Sequence, residues 1–208
     1  MIIPGILESE FSEVVKKVNS LQNKASLIHI DIIDGILLPT KTFLDLGDIE
    51  KELFNQQIEL HLMVTDAYNY AAKKLLNVVS ICAQLEGLNI DKFIKSSKEN
   101  GYKTGLSISP NTPIADLKPY LNSIDFVQFM TVEPGAQGKP FRKDVINKIE
   151  KFKASSDIRI QVDGGIDEEK VKFFKALGIK NIVVGSKIFN QNNPMTAYKN
   201  LVKVLEDA

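Results

Sequence analysis

One pattern limits what this chain can fold into. Short runs rich in isoleucine, valine and leucine return eight times, at residues 2–7, 27–33, 58–64, 78–83, 104–109, 126–131, 159–162 and 181–184. Their shortness and β-branching predict strands. Charged stretches with helical spacing separate them. Phe11, Val14, Val15 and Val18 fall on one face of residues 11–18, and Val145, Ile149 and Phe152 form one stripe in residues 145–152. Further helices are expected over residues 67–76, 90–100, 168–177 and 194–205. Thr112-Pro113 and Asn193-Pro194 read as N-caps followed by proline at the first helical position, and Gly101 and Gly178 as helix stops.

Strands that alternate with helices build a parallel sheet with the helices packed outside. Eight such units in 208 residues predict an α/β fold, a (β/α)8 TIM barrel that occupies residues 1–208 as one domain. The rival is an open doubly wound sheet. Against it, no G-x-G-x-x-G follows the first strand. The nearest phosphate-loop fragments, Gly135-Ala136-Gln137-Gly138-Lys139 and Gly185-Ser186-Lys187, have the wrong spacing for G-x-x-x-x-G-K-[ST].

Charge and composition exclude several classes of function. Lys plus Arg is 26 and Asp plus Glu is 26, with no basic block, which argues against a nucleic-acid partner. No apolar run approaches the ~18 residues of a membrane span, and Met1-Ile2-Ile3-Pro4 lacks the pattern of a signal peptide. A single cysteine, Cys82, excludes an intrachain disulfide framework. It suits a reducing compartment, so a cytoplasmic location is expected.

Chemistry enters through side-chain parity. Successive residues of a strand point to opposite faces. In the second strand Ile28, Ile30 and Ile32 share the face that meets helices, which leaves His29 and Asp31 towards the barrel axis. His61 shares parity with Met63 in the third strand, and Gln161 with Asp163 in the seventh. Taken singly, a strand histidine is an ordinary hydrogen-bonded core residue, and a terminal aspartate a turn or cap. Here four such groups fall at the carboxyl ends of three strands, the rim where this fold does chemistry. Burying His29, Asp31, His61 and Asp163 without a partner costs several kcal/mol. A divalent cation removes that cost, and a mixed nitrogen and oxygen set suits Zn²⁺, Fe²⁺, Mn²⁺ or Co²⁺. Asp163-Gly164-Gly165 and Gly185-Ser186 close strands seven and eight, where backbone N–H groups often bind phosphate, though tight βα turns need the same glycines. Residues 134–138 read as a mobile loop or a plain surface turn.

The whole chain resembles the ribulose-phosphate 3-epimerase family. The resemblance is carried by residues 29–35 (HIDIIDG), with Pro39 and Thr42-Phe43, then residues 61–64 (HLMV) and 110–113 (PNTP). It continues through residues 130–135 (MTVEPG), 162–166 (VDGGI) and 184–186 (VGS). It implies a barrel of the ribulose-phosphate-binding type. His29, Asp31, His61 and Asp163 would ligate one divalent metal, with His61 also beside the substrate. Asp31 and Asp163 would be the acid/base pair. Gly135, Gly138, Gly164, Gly165, Gly185 and Ser186 would hold the phosphate or line a closing loop, and Met63 and Met130 would cap the site. The implied reaction interconverts D-ribulose 5-phosphate and D-xylulose 5-phosphate by inversion at C3 through a metal-stabilised enediolate. Strands two and seven are expected on opposite sides of the barrel, so that the two aspartates flank a planar intermediate. The partner is then a small phosphorylated sugar, and a homo-oligomer is expected.

Several positions depart from the family pattern. Gly5 stands where the first strand usually has serine, and Ile33 where it has methionine. Residues 36–40 (ILLPT) replace a His-Phe-Val-Pro-Asn pattern, and Gln84 stands for the histidine of an H-x-E pattern, with Glu86 kept. The loop after strand six reads Gly135-Ala136-Gln137-Gly138-Lys139 where the family has Gly-Phe-Gly-Gly-Gln. Lys139 is either a cation for the phosphate or a solvated side chain. Other readings follow the same barrel. One is an epimerase of a six-carbon ketose 6-phosphate, and another a barrel that binds a phosphosugar without turning it over. A decarboxylase or hexulose-phosphate synthase needs D-x-K-x-x-D, and residues 29–34 (HIDIID) lack its lysine.

Overall fold

The computed structural model describes residues 1–207. Eight parallel strands close on themselves in sequence order: β1 (Ile2–Ile6), β2 (Ile28–Ile33), β3 (Ile58–Met63), β4 (Val78–Gln84), β5 (Lys103–Ile108), β6 (Phe126–Met130), β7 (Arg159–Asp163) and β8 (Asn181–Val184). Each lies within a residue or so of the apolar run that predicted it. The closed sheet is the (β/α)8 barrel expected from the alternation.

The helices depart more from the sequence reading. The amphipathic stretches give α1 (Phe11–Ser20), α4 (Ile90–Glu99), α5 (Asp144–Ser155), α6 (Glu168–Ala176) and α8 (Pro194–Asp207). Two further short helices carry no such pattern, α2 (Gly47–Glu52) and α7 (Ser186–Phe189). The helix expected over 67–76 shrinks to the single turn α3 (Tyr68–Ala71). Asn193 caps α8 as expected, its Oδ1 accepting the Thr196 N–H at 3.0 Å. Thr112 does not cap a helix. Pro113 is the extended residue before a 3₁₀ helix (Ile114–Ser123), and Pro119 inside that element is compatible with short 3₁₀ turns rather than a continuous α-helix. Gly101 and Gly178 stop α4 and α6 with φ of +74° and +77°.

Both faces of a closed parallel sheet are buried, so the two parities of each strand answer to different neighbours. Ile28, Ile30 and Ile32 of β2 and Ile58, Leu60 and Leu62 of β3 join the apolar layer that also holds Val14 and Val18 of α1 and Phe93 of α4. The opposite parity fills the barrel. Register sets His29 beside Glu59 and Asp31 beside His61, Glu59 beside Ser80, and Gln128 beside Gln161. The interior is therefore largely polar, with one aromatic ring packed near its floor. There Phe126 of β6 faces Gly105 of β5, its register partner, and Arg159 lies over the Phe126 ring at 5.2 Å.

Gly105 makes room for that ring. A Cβ at this position would sit 2.4 Å from Phe126 Cζ, and a packed core does not yield that distance cheaply. Gly105→Ala is expected to lose about 1–3 kcal/mol and several degrees of Tm in thermal unfolding. Phe126→Leu in the same chain should recover part of the loss, whereas an unchanged Tm in the single variant would contradict this packing.

Candidate metal centre at the carboxyl mouth

The barrel brings together the four groups that parity aims inwards. One donor atom each from His29, Asp31, His61 and Asp163 lies within 4.8 Å of all the others. Asp31 Oδ1 is 3.3 Å from His29 Nε2 and 2.9 Å from His61 Nδ1, and Asp163 Oδ2 is 3.8 and 3.9 Å from the same nitrogens. Two donors ~2.1 Å from one ion at a tetrahedral angle stand about 3.4 Å apart, so this spacing suits a shared cation. One observation tests the fit directly. His29 Nε2 is buried and has no hydrogen-bond partner, although it faces both carboxylates. A lone pair left bare in a polar cluster is what a metal ligand presents.

Neighbouring groups fix which nitrogen is bare. His29 Nδ1 lies 2.9 Å from Glu59 Oε1, and a carboxylate only accepts, so Nδ1 carries the hydrogen. His61 has an acceptor at each nitrogen, Gln84 Oε1 at 3.1 Å from Nε2 and Asp31 Oδ1 at 2.9 Å from Nδ1. Gln84 Nε2 in turn donates to Ser109 Oγ at 2.8 Å. The departure at Gln84 is thus in direct contact with a proposed ligand. Gln128 Nε2 reaches into the same cluster, 3.4 Å from Asp163 Oδ2.

The two aspartates differ in proton affinity. Burial works against charge on Asp31, yet the two imidazoles it touches hold its carboxyl well below the usual range. Asp163 is pushed up to about 6, by burial first and by the Asp31 and Glu59 carboxylates, against the pull of the histidines. Glu59, though buried, is held below its ordinary value by hydrogen bonds from His29, Ser80 and Gln161.

The expected surroundings assemble around this centre. Met63, Met130, Gly135, Gly138, Gly164, Gly165, Gly185 and Ser186 all line the pocket that Asp31 and Asp163 open into, together with Gly5 and Lys139. Met63 and Met130 are buried, while Lys139 and Gly138 are exposed at the edge. After Asp163 the chain turns through Gly164 and Gly165 at φ of +111° and +63°, and a Cβ on Gly164 would meet Val132 Cγ2 at 2.4 Å. Thr131 pins this turn, its backbone N–H and hydroxyl both donating to the Asp163 carbonyl, at 2.7 and 3.0 Å. The loop after β6 already reaches across the mouth. Gln137 Nε2 donates to the Leu7 carbonyl at 3.2 Å, and Gly135 packs on Leu38. Asp34 ties two other rim loops together, accepting N–H groups from Ile36, Leu37 and Thr65.

Two sequence expectations need correction or addition. β2 and β7 are not opposite each other. They stand three places apart around the closed sheet, through β1 and β8. Sequence reasoning also missed Glu59 and Gln128, although both have the inward parity of His61 and Met130. Their signal was a polar side chain at an inward position of an apolar strand.

A closed parallel barrel whose carboxyl rim gathers imidazoles, carboxylates and glycine-rich turns defines a barrel enzyme with its chemistry at that rim. The chain belongs to the ribulose-phosphate 3-epimerase family, whose profile matches residues 1–189, and is by that membership an isomerase acting on carbohydrates. Similar relatives include the ribulose-phosphate 3-epimerases of Bacillus subtilis, 28% identical over 92% of this chain and 93% of that protein, and of Buchnera aphidicola subsp. Baizongia pistaciae, 30% identical over 93% and 90%. A rice relative named as the cytoplasmic isoform is 28% identical over 99% of this chain and 94% of its own. Among solved structures, KGPDC from Streptococcus mutans superposes with a TM-score of 0.77 at 14% identity, covering 99% of this chain and 97% of that one. The 3-hexulose-6-phosphate synthase of Salmonella typhimurium gives 0.75 at 16% identity, covering 99% and 98%. At those identities the likeness is one of fold. Among the described residues, no helix is long and apolar enough to cross a membrane.

If the four groups share a cation, His29→Ala and His61→Ala should each purify with far less divalent metal than the wild-type protein, as read by elemental analysis of unchelated samples. Full metal content in either variant rules that imidazole out as a ligand.

Proposed function

We propose that this protein inverts C3 of a ketose phosphate, interconverting D-ribulose 5-phosphate and D-xylulose 5-phosphate, with one first-row divalent metal held by His29, Asp31, His61 and Asp163. The observation that carries the reading is the convergence of those four groups, with a bare buried imidazole nitrogen among them, in a member of this family. When bound, the cation supplies Lewis-acid stabilisation of negative charge on the oxygens beside the reacting carbon and favours the ionised form of its carboxylate ligands.

The chain's own side chains do the proton transfer. The hydrogen on a carbon next to a ketone is weakly acidic, and inversion requires its removal from one face and its return on the other. Asp31 and Asp163 are, among the described residues, the only carboxylates lining the pocket, and they come from different strands. One would accept the proton and the other deliver it, the roles exchanging in the reverse direction. Buried Met63 and Met130 give the reacting carbon an apolar cover that keeps water from the intermediate. Gly164, Gly165, Gly185 and Ser186 offer exposed backbone and a hydroxyl for the phosphate, and Lys139 stands at the same mouth. Cys82 is buried with no partner thiol, which supports a cytoplasmic location. A homo-oligomer is part of the proposal through the family resemblance alone.

Asp31→Asn and Asp163→Asn are each expected to lower kcat by at least about 10²–10⁴-fold while the far-UV circular dichroism stays that of the wild type. In D₂O each variant should take up deuterium at C3 from at most one of the two epimers, the one whose proton faces the carboxylate that remains. Wild-type interconversion of the epimers in either one removes the two-carboxylate scheme. Binding of the phosphosugar by the wild-type protein without any exchange would instead identify a non-catalytic barrel, and parallel assays on pentulose and hexulose phosphates decide chain length.

A further inference from the structure

Glu59 has no part in the chemistry just described, yet it is the most deeply placed acid in the barrel. It lies on β3 two residues before His61, on the same inward face, and is 3% exposed. Taking a carboxylate out of water costs several kcal/mol unless donors surround it. Here three donors do. Oε1 accepts from His29 Nδ1 at 2.9 Å and from Gln161 Nε2 at 2.6 Å, and Oε2 accepts from Ser80 Oγ at 2.6 Å. Two of these partners, His29 and Ser80, are its register neighbours on β2 and β4, and the third reaches it from β7 across the barrel.

The consequence for His29 is specific. With Nδ1–H committed to Glu59, the remaining nitrogen is Nε2, the buried atom without a hydrogen-bond partner. We infer that Glu59 is the positioning residue of the metal centre: it fixes the tautomer and the ring angle of His29, so that the Nε2 lone pair is already aimed at the cation. The reach of this contact is wider than one ligand. Gln161 Nε2 also donates to Gln128 Oε1 at 2.8 Å, and Gln128 Nε2 faces His61 Nδ1 at 3.2 Å, so one acid at mid-barrel braces both imidazoles. Outer partners of this kind typically set metal affinity by about 10–100-fold.

The inference rests on the metal-centre reading above, and the experiment separates the two. Zinc affinity is measured for the wild type, Glu59→Gln and Glu59→Ala by competition with a chromophoric chelator. The imidazole N–H resonances of the ¹⁵N-labelled, zinc-loaded proteins are recorded alongside, and the Tm of the metal-free proteins reports the fold. Glu59→Gln keeps an oxygen for Nδ1–H and loses the charge. It should retain the slowly exchanging His29 Nδ1–H, shifted, with zinc binding weakened by less than about tenfold. Glu59→Ala should lose that resonance and bind zinc about 10–100-fold more weakly. A Glu59 that only supports the fold would change Tm and leave zinc affinity within about twofold of wild type in both variants, which overturns the inference. If the alanine variant does not fold, Glu59→Gln decides alone, because an unmoved Nδ1–H and an unchanged affinity are then the refuting result. A wild-type protein that binds no zinc or other first-row metal defeats the metal-centre reading itself.

Discussion

Two buried imidazoles and two largely buried carboxylates within a few ångströms of each other are the constraint to which the rest of this barrel answers. Isolated, such groups would shift their protonation or drag water into the core. The fold meets the problem by collecting them at one end of a closed sheet and surrounding them with partners whose polarity matches. The apolar layer outside the sheet can then be ordinary, since Ile, Leu and Val on the outward parity need only helices to pack against.

That arrangement makes the barrel interior a graded medium. Phe126 and Arg159 close the floor, Glu59, Ser80, Gln128 and Gln161 occupy the middle, and the ligand set opens towards the loops. Each level holds the next in place through hydrogen bonds between neighbouring strands, so the donor atoms at the mouth inherit their positions from the register of the sheet rather than from the loops. The loops supply what must be adjustable, the cover and the groups for a phosphate.

Much of this was legible in the chain. Period-two alternation places His29, Asp31, His61 and Asp163 inward before any coordinates are known, because parity is a strict property of a pleated strand. The apolar runs locate all eight strands for the same reason. Helices are less legible where packing, not propensity, decides. Residues 67–76 carry a helical pattern but keep only one turn, and the segment at 114–123 winds as 3₁₀ around Pro119. Glu59 and Gln128 stay hidden in the sequence because a lone polar residue in an apolar strand is commonplace until its cross-barrel partner is known. That partner, Gln161, lies 102 residues from Glu59 along the chain. The relation of β2 to β7 is different, since eight strands in order around a closed circle already stand these two three places apart.

One detail of the mouth bears on how this sequence can change. At position 5, where the family pattern has serine, the backbone of β1 lies so close to β8 that a Cβ would stand 2.7 Å from Val183 Cγ1. The two residues are a matched pair, a bare α-carbon and the methyl group that leans over it. Restoring a hydroxyl at position 5 therefore demands a rotamer change or a smaller residue at 183. The seam between first and last strands thus couples position 5 to position 183: any side chain at the first must be answered by a shift at the second.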